Sequence, residues 1–326
     1  MVFHTVAESA FGTALWKRTG SSEHLRQMEK RLDKPVSVGF SEEANMFRSL
    51  GIPWIPPELR EGRQEVDWAI ADSLPNLISL EDLKGDLHSH SDRTDGHDTP
   101  KNMVLQAQKN GLEYIALTDH TARVFQCNGM NEKQLLDQWK QFDKIQVEVD
   151  EETEKAGLKP IRLIKGVEVD ILESGKMDLA DEVLAQADWV VASLHFGESQ
   201  LKKQLTRRLL NAIENPNVCV IAHPTGRFLP NRPPIDVDWD QVFVAAAQYG
   251  CFLELNSHPK RLDLDDIHCV RAKELGIKIV ISSDAHSKVT LTVTRFGIQQ
   301  ARRAGLQADD VANTRSWEEL KKICRK

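Results

Sequence analysis

An α/β fold built on a parallel sheet is predicted by three observations. From Gly85 onward, short apolar segments alternate with amphipathic helical ones, the rhythm of strand–helix units. The chain is long enough, at 326 residues with 40% hydrophobic and 28% charged, for one large domain beside a smaller one. Texture also changes near residue 84: the first 83 residues are helical and turn-rich, and the region 84–326 carries the alternation. No tandem repeat, low-complexity tract or G-x-G-x-x-G fingerprint interrupts it.

Taken in order, 14–32 has helical spacing with mixed charges, and Gly51-Ile52-Pro53-Trp54-Ile55-Pro56-Pro57 is a rigid connector. The segment 58–74 reads as a charged surface helix stopped by Pro75. His4 and His24 are isolated and read as exposed or partly buried bystanders. Strands are then expected at 85–89, 114–118, 161–169, 188–194, 218–222, 251–256 and 277–283. Helices fall between them, at 101–110, 132–156, 201–214 and 239–249. Seven such units can close as a barrel or lie open as a doubly wound sheet.

Composition excludes several classes. A net charge of −7 argues against a protein that coats nucleic acid non-specifically, though not against a nucleic-acid substrate. Cys127, Cys219, Cys251, Cys269 and Cys324 show no C-x-x-C spacing and read as reduced thiols. The N-terminus lacks a basic segment leading into an apolar one, and no apolar run approaches about 20 residues. A cytoplasmic protein with no membrane partner is expected.

Chemistry concentrates where the predicted strands end. His88 and His90 are two apart, so on an extended segment both imidazoles share a face. Asp95 follows in a Thr-Asp-Gly turn able to return a carboxylate toward them. Thr118-Asp119-His120, Glu168 in GVEVD, His195, His223 in AHPTGR, and Asp284-Ala285-His286 recur at later strand ends. Six of the eleven histidines therefore occupy matching positions. In a parallel barrel those loops converge on one mouth. Any one of these histidines alone would read as a hydrogen-bonded core residue. Together with Asp95, Glu168 and Asp284 they call for metal, since burying so many ionisable groups unpaired is costly.

Nine candidate ligands exceed the needs of one tetrahedral ion, so two or three divalent ions with a bridging carboxylate are implied. Imidazole mixed with carboxylate suits Mn2+, Zn2+ or Fe2+. Clustered ions clamp both oxygens of a phosphoryl displacement and lower the pKa of a bound water. Phosphate-ester hydrolysis follows, with Arg227 as the expected phosphate-binding cation. His97 reads as solvent-exposed and His258 as held by a local hydrogen bond.

DLHSH, TDG, TDH, GVEVD, SLH, AHPTGR and SSDAH, in this order, resemble the polymerase-and-histidinol-phosphatase (PHP) family of metal-dependent phosphoesterases. The resemblance runs from about Gly85 to the end of the chain and implies a distorted (β/α)7 barrel with a trinuclear site. It implies that His88, His90, Glu168 and Asp284 hold one ion. Glu168, His195 and His223 would hold a second, and Asp95, His120 and His286 a third. HPTGR with PIDVDW after it, LELNSHPKRLDL and GIQQARRAG resemble the C-terminal PHP domain of bacterial family X DNA polymerases. SAFGTALWKRTGSSEHL resembles their thumb-side fragment, and GIPWIPPELREG the link to the PHP domain.

That resemblance implies a manganese-dependent 3′–5′ exonuclease acting on DNA 3′ ends, with Glu168, Asp284 and Arg227 in the chemistry. The family's polymerase carboxylates would precede this sequence, so no palm is expected here. The chain then reads as a split descendant keeping the nuclease, or as part of a longer protein. Lys17-Arg18 stands where the family usually has an aromatic pair, and the segment 36–51 looks shortened. Two other readings remain: a small-molecule phosphomonoesterase, and a non-catalytic metal-stabilised module docking onto DNA or a separate polymerase.

Overall fold

A computed structural model describes residues 3–32 and 39–325. The chain divides into two compact units, one of residues 1–77 with 302–307, the other of 78–301 with 308–326. Part of the segment that looks shortened, 36–38, and Asp33 lie outside the described residues.

The first unit is helical, around a core of Trp16, Met28, Met46, Phe47, Ile55 and Val66. The continuous helix expected over 14–32 is two helices, Phe11–Thr19 and Ser22–Leu32. Gly20 is extended (ψ 142°), and the Ser21 hydroxyl accepts the His24 N–H at 3.0 Å, capping the second helix. The helix expected over 58–74 shrinks to Glu65–Ile70. Gly62 adopts φ +75°, a turn that excludes helix. The freed N–H groups of Gly62 and Arg63 both donate to the Glu65 carboxylate at 2.8 Å.

In the second unit, seven parallel strands follow one another in chain order. They are β1 (Gly85–Asp86), β2 (Tyr114–Leu117), β3 (Arg162–Asp170), β4 (Trp189–Ser193), β5 (Val220–Ile221), β6 (Phe252–Asn256) and β7 (Ile279–Ser282). Past the end of β1 a parallel bridge, Ser89 to Ala285, nearly closes the sheet, with Asp284 N donating to His88 O at 2.9 Å and His90 N to Ala285 O at 2.8 Å. The open-sheet alternative is thereby excluded. The expected helices appear at Pro100–Lys109, Glu132–Ala156, Lys202–Glu214 and Trp239–Tyr249. Among the described residues no helix is long and apolar enough to cross a membrane.

The barrel interior changes character along its length. Tyr114, Ala116, Ile164, Trp189, Val191 and Val280 pack together in one buried cluster, closed off by Trp317 and Leu320. Two residues further along the same faces come polar groups: Ser193 after Val191, Ser282 after Val280, Glu254 after Phe252. The period of two that buries the lower core thus delivers a polar upper layer.

Candidate metal centre

All nine predicted ligand residues converge at the carboxyl ends of the strands. Three groups form in which the ligand atoms lie within 4.8 Å of one another: His90, Asp95, His120 and His286; His88, His90 and Asp284; and His120, Glu168 and His195. Glu168, buried on β3, is the hub. Its Oε2 lies 3.4 Å from His88 Nε2, 3.5 Å from His90 Nε2 and 2.9 Å from His120 Nδ1. Its Oε1 lies 3.3 Å from His195 Nε2 and 3.2 Å from His223 Nε2.

Local backbone explains how each side chain arrives. Asp119 accepts from Ser91 N, Ser91 Oγ and Thr94 Oγ1 at 2.7–2.8 Å, folding the 91–96 loop back. That loop places Asp95 3.6 Å from His120 Nε2 and 3.2 Å from His286 Nε2. Gly96 is obligatory in it, because a Cβ there would sit 2.6 Å from the Ser91 carbonyl carbon. Ala222 faces the interior cluster, so a regular strand would send His223 outward. A φ of +29° at His223 turns it in, and Asp284 has φ +53°. Left-handed backbone at non-glycine residues is strained and gathers at functional sites.

Three imidazoles have Nδ1 fixed from behind. His88 Nδ1 lies 2.7 Å from Glu254 Oε1, His195 Nδ1 3.1 Å from Asp170 Oδ1, and His286 Nδ1 2.9 Å from the Asp284 carbonyl. With a proton held on Nδ1, Nε2 is the nitrogen each ring turns to the cluster, the arrangement that orients metal ligands. Glu254 and Asp170 were absent from the predicted site. Their signal was period two: Asp170 follows Glu168, and Glu254 and Asn256 share the inward face of β6. Glu254 also accepts from His223 N and Ser282 Oγ, at 2.6 Å each.

Protonation reflects crowding. Burial opposes ionisation of Glu168, yet the charges of His88, His120 and His195 hold its carboxyl well below the usual range. Asp284 is likewise held down, burial being outweighed by His88 and His90. Burial disfavours charge on His88, but Glu254, Glu168 and Asp284 push it well above its usual value. His90 is pushed down to about 4 by burial, then by His120 and His286; His223 falls to about 4 by burial, then by Arg261. Against its burial, the hydrogen bond to Asp95 and the charge of Asp284 raise His286 to about 9.

The residues fit divalent metal. His88 Nε2, both ring nitrogens of His90, and Glu168 Oε2 are buried without a hydrogen bond of normal geometry. Polar atoms so placed are rare unless a bound ion or water satisfies them. A donor set of imidazole and carboxylate without thiolate matches catalytic divalent ions.

Arg227 does not face the cluster. Its Nε donates to Arg261 O at 2.8 Å, its Nη2 to Leu262 O, and its Nη1 lies 3.5 Å from Asp265. Arg261 points inward instead, with Nε 3.6 Å from Asp284 Oδ2 and Nη1 buried without a hydrogen bond. Sequence spacing gave no sign of the exchange. His97 is exposed, and His258 Nδ1 accepts the Lys260 N–H at 3.3 Å.

A nearly closed parallel barrel with a histidine–carboxylate cluster at its mouth defines a metal-dependent phosphoesterase. The PHP domain matches residues 86–258, and the chain belongs to the PHP family. DNA polymerase/3′-5′ exonuclease PolX of Bacillus subtilis is 35% identical, over 99% of this chain and 58% of its own length. A probable phosphatase of Thermoanaerobacter sp. is 32% identical, over 70% of this chain and 89% of its own. The crystal structure of histidinol phosphate phosphatase from Lactococcus lactis, complexed with zinc, L-histidinol and phosphate, is 21% identical with a TM-score of 0.47. It covers 67% of this chain and 93% of that one.

Proposed function

We propose that this chain hydrolyses DNA phosphodiester bonds as a 3′–5′ exonuclease or 3′-end-processing enzyme, without polymerase activity, in the cytoplasm. The observation that carries this reading is the reach of the PolX similarity. It extends over 99% of the chain and so includes the helical unit, whereas the probable phosphatase matches 70%. The chain spans 58% of the length of PolX, so activity of the whole relative is not transferred with it.

Two or three divalent ions (Mn2+, Zn2+ or Fe2+) are held as the family resemblance implies. His88, His90, Glu168 and Asp284 take one, Glu168, His195 and His223 the second, and Asp95, His120 and His286 the third. His90 also lies within reach of the third group, and His120 of the second. When bound, such ions activate water and neutralise phosphoryl oxygens. The chain's own residues do the rest. Glu168 sets the spacing between sites, and Glu254 and Asp170 hold His88 and His195 in register. Arg261 meets a non-bridging phosphate oxygen, while Arg227 holds the turn that aims it. Polymerisation needs its own paired carboxylates, and the described aspartates before Gly85 are scattered. Asp67 pairs with Arg31 at 3.1 Å, Asp72 sits in a left-handed turn, and Asp82 caps Ser79.

The second reading, a small-molecule phosphomonoesterase, draws on the probable phosphatase, whose own length is 89% matched. Purified protein with manganese, assayed on 3′-recessed DNA, abasic DNA and a phosphomonoester panel, separates them. Release of nucleotides from a 3′ end without primer extension is expected. Phosphomonoester turnover with DNA untouched establishes the second reading, and primer extension removes the claim of no polymerase activity.

A further inference from the structure

Beside the metal centre, two segments are tied together into one ledge. Leu229 N donates to Lys260 O at 2.6 Å, and the Arg227 guanidinium reaches the carbonyls of Arg261 and Leu262. Phe228 N donates to Arg232 O at 2.9 Å, closing a tight tip that includes Pro230. The turn at 258–262 is braced in the same way, with Arg261 N donating to His258 O at 2.7 Å.

On this ledge the Phe228 and His258 rings lie nearly parallel, 20° apart with centroids at 6.3 Å. Lys260 Nζ and Arg261 Cζ lie over the Phe228 ring, 5.6 Å and 5.7 Å from its centroid. Both rings are half-buried, Lys260 is exposed, and Leu229 beside them is 41% exposed. Simple loop packing accounts for the rings. It does not account for Arg261 Nη1, a buried charged donor without a hydrogen bond, on a guanidinium whose Nε lies 3.6 Å from Asp284 Oδ2. A buried cationic donor of this kind is satisfied by an anion.

We propose that Phe228, His258 and Lys260 form a nucleotide subsite, receiving the base and phosphate of the nucleotide next to the scissile bond. The inference rests on the DNA-end reading and specifies it. Arg261 takes the scissile phosphate. The neighbouring base stacks against the Phe228–His258 pair, as bases stack on aromatic side chains in single-strand sites. Lys260, the exposed member, leaves the ring for that nucleotide's phosphate. Stacking tolerates any base, so the subsite confers preference for nucleic acid without preference for sequence.

The test removes a base from the substrate and a ring from the protein. Wild-type protein with manganese is assayed on an oligonucleotide and on the same oligonucleotide lacking the base next to the terminal one. Loss of the base is expected to raise KM about ten-fold, within the range of one base–aromatic stack. In Phe228→Ala the same loss is expected to matter less than about two-fold, and Phe228→Trp is expected to restore the dependence. Lys260→Ala is expected to flatten the salt dependence of binding by about 0.7 in log–log slope, one single-strand phosphate contact. If wild type cleaves DNA but ignores the missing base, the subsite is overturned without recourse to any variant. Equal base dependence in wild type and Phe228→Ala overturns it too. If wild type leaves DNA intact and turns over phosphomonoesters, the DNA-end reading itself falls and the subsite with it.

Discussion

His24 and His90 are both fully buried, at 0% exposure, in different units of the chain. Around His24 every ring nitrogen is engaged: Nε2 accepts from Trp16 Nε1 at 3.0 Å, and Nδ1 lies 2.8 Å from Glu65 Oε1. Glu65 in turn accepts two backbone N–H groups. Around His90 neither ring nitrogen makes a hydrogen bond of normal geometry, and two other imidazoles stack against the ring, His120 and His286, each at 4.4 Å. Burial alone therefore does not mark a ligand. What separates the two is whether the protein completes the polar accounting by itself.

The largest effect expected from breaking the unfinished region is at its hub. Glu168 touches five imidazoles, and Glu168→Gln keeps its size while removing the charge between neighbouring ions. Hydrolysis is expected to fall at least about a hundredfold, with metal content below that of wild type. Metal analysis on the same preparations as the rates checks this. Full metal content with a near-normal rate would remove Glu168 as a bridge.

Next come the two arginines. Arg261→Ala is expected to cost about thirtyfold in kcat/KM, the loss of one charged contact to phosphate. Arg227→Ala acts through the turn that aims Arg261, so its cost is expected to be smaller. The double variant should resemble Arg261→Ala alone, because a strut has no effect once its load is gone. Additive losses would show that Arg227 meets substrate independently.

This pair marks the limit of legibility. That the nine histidines and carboxylates gather could be read from the sequence because period-two spacing and strand ends determine where side chains point. An arginine's long side chain carries no such constraint, and only the fold shows that Arg227 turns toward backbone carbonyls. Glu254 and Asp170 escaped for a related reason: period two puts them on the inward face, but only the fold shows that they reach the Nδ1 atoms of His88 and His195. In the helical unit, Gly20 and Gly62 broke two expected helices. Helical periodicity continued across both positions, and their backbone angles overrode it.

A smaller, graded effect should appear in stability against pH. In metal-free protein, His88, His120, His195 and His286 are raised above the ordinary value of 6.5, His286 to about 9. Groups raised on folding stabilise fully below 6.5 and lose that contribution as pH climbs through the folded value. His90 and His223, lowered to about 4, have the opposite sign and cost stability as pH falls below 6.5. The metal-free melting temperature is thus expected to decline from pH 6.5 to 9. Added manganese or zinc competes with protons for the same nitrogens, so its stabilisation should grow over that window, reaching several degrees. Calorimetry with and without chelator across the window measures it. A metal-induced shift that stays flat with pH would count against these histidines as ligands.

The smallest effect on chemistry should come from the finished region. His24→Ala leaves Trp16 Nε1 and the Glu65 carboxylate without their buried partner, which is expected to cost about 3 kcal/mol of stability in the helical unit. Burial opposes ionisation of Glu65, but hydrogen bonds from His24 and from backbone N–H groups hold its carboxyl below the usual value. Removing His24 therefore leaves a buried carboxylate less supported, and the loss should deepen as pH rises and Glu65 ionises. Bound metal per chain and the rate of phosphodiester hydrolysis should not change, since His24 contributes to neither. Metal content, hydrolysis rate and a denaturant melt on one preparation give all three values. A fall in metal content without loss of stability would reverse the assignment and make the hydrogen-bonded histidine the ligand.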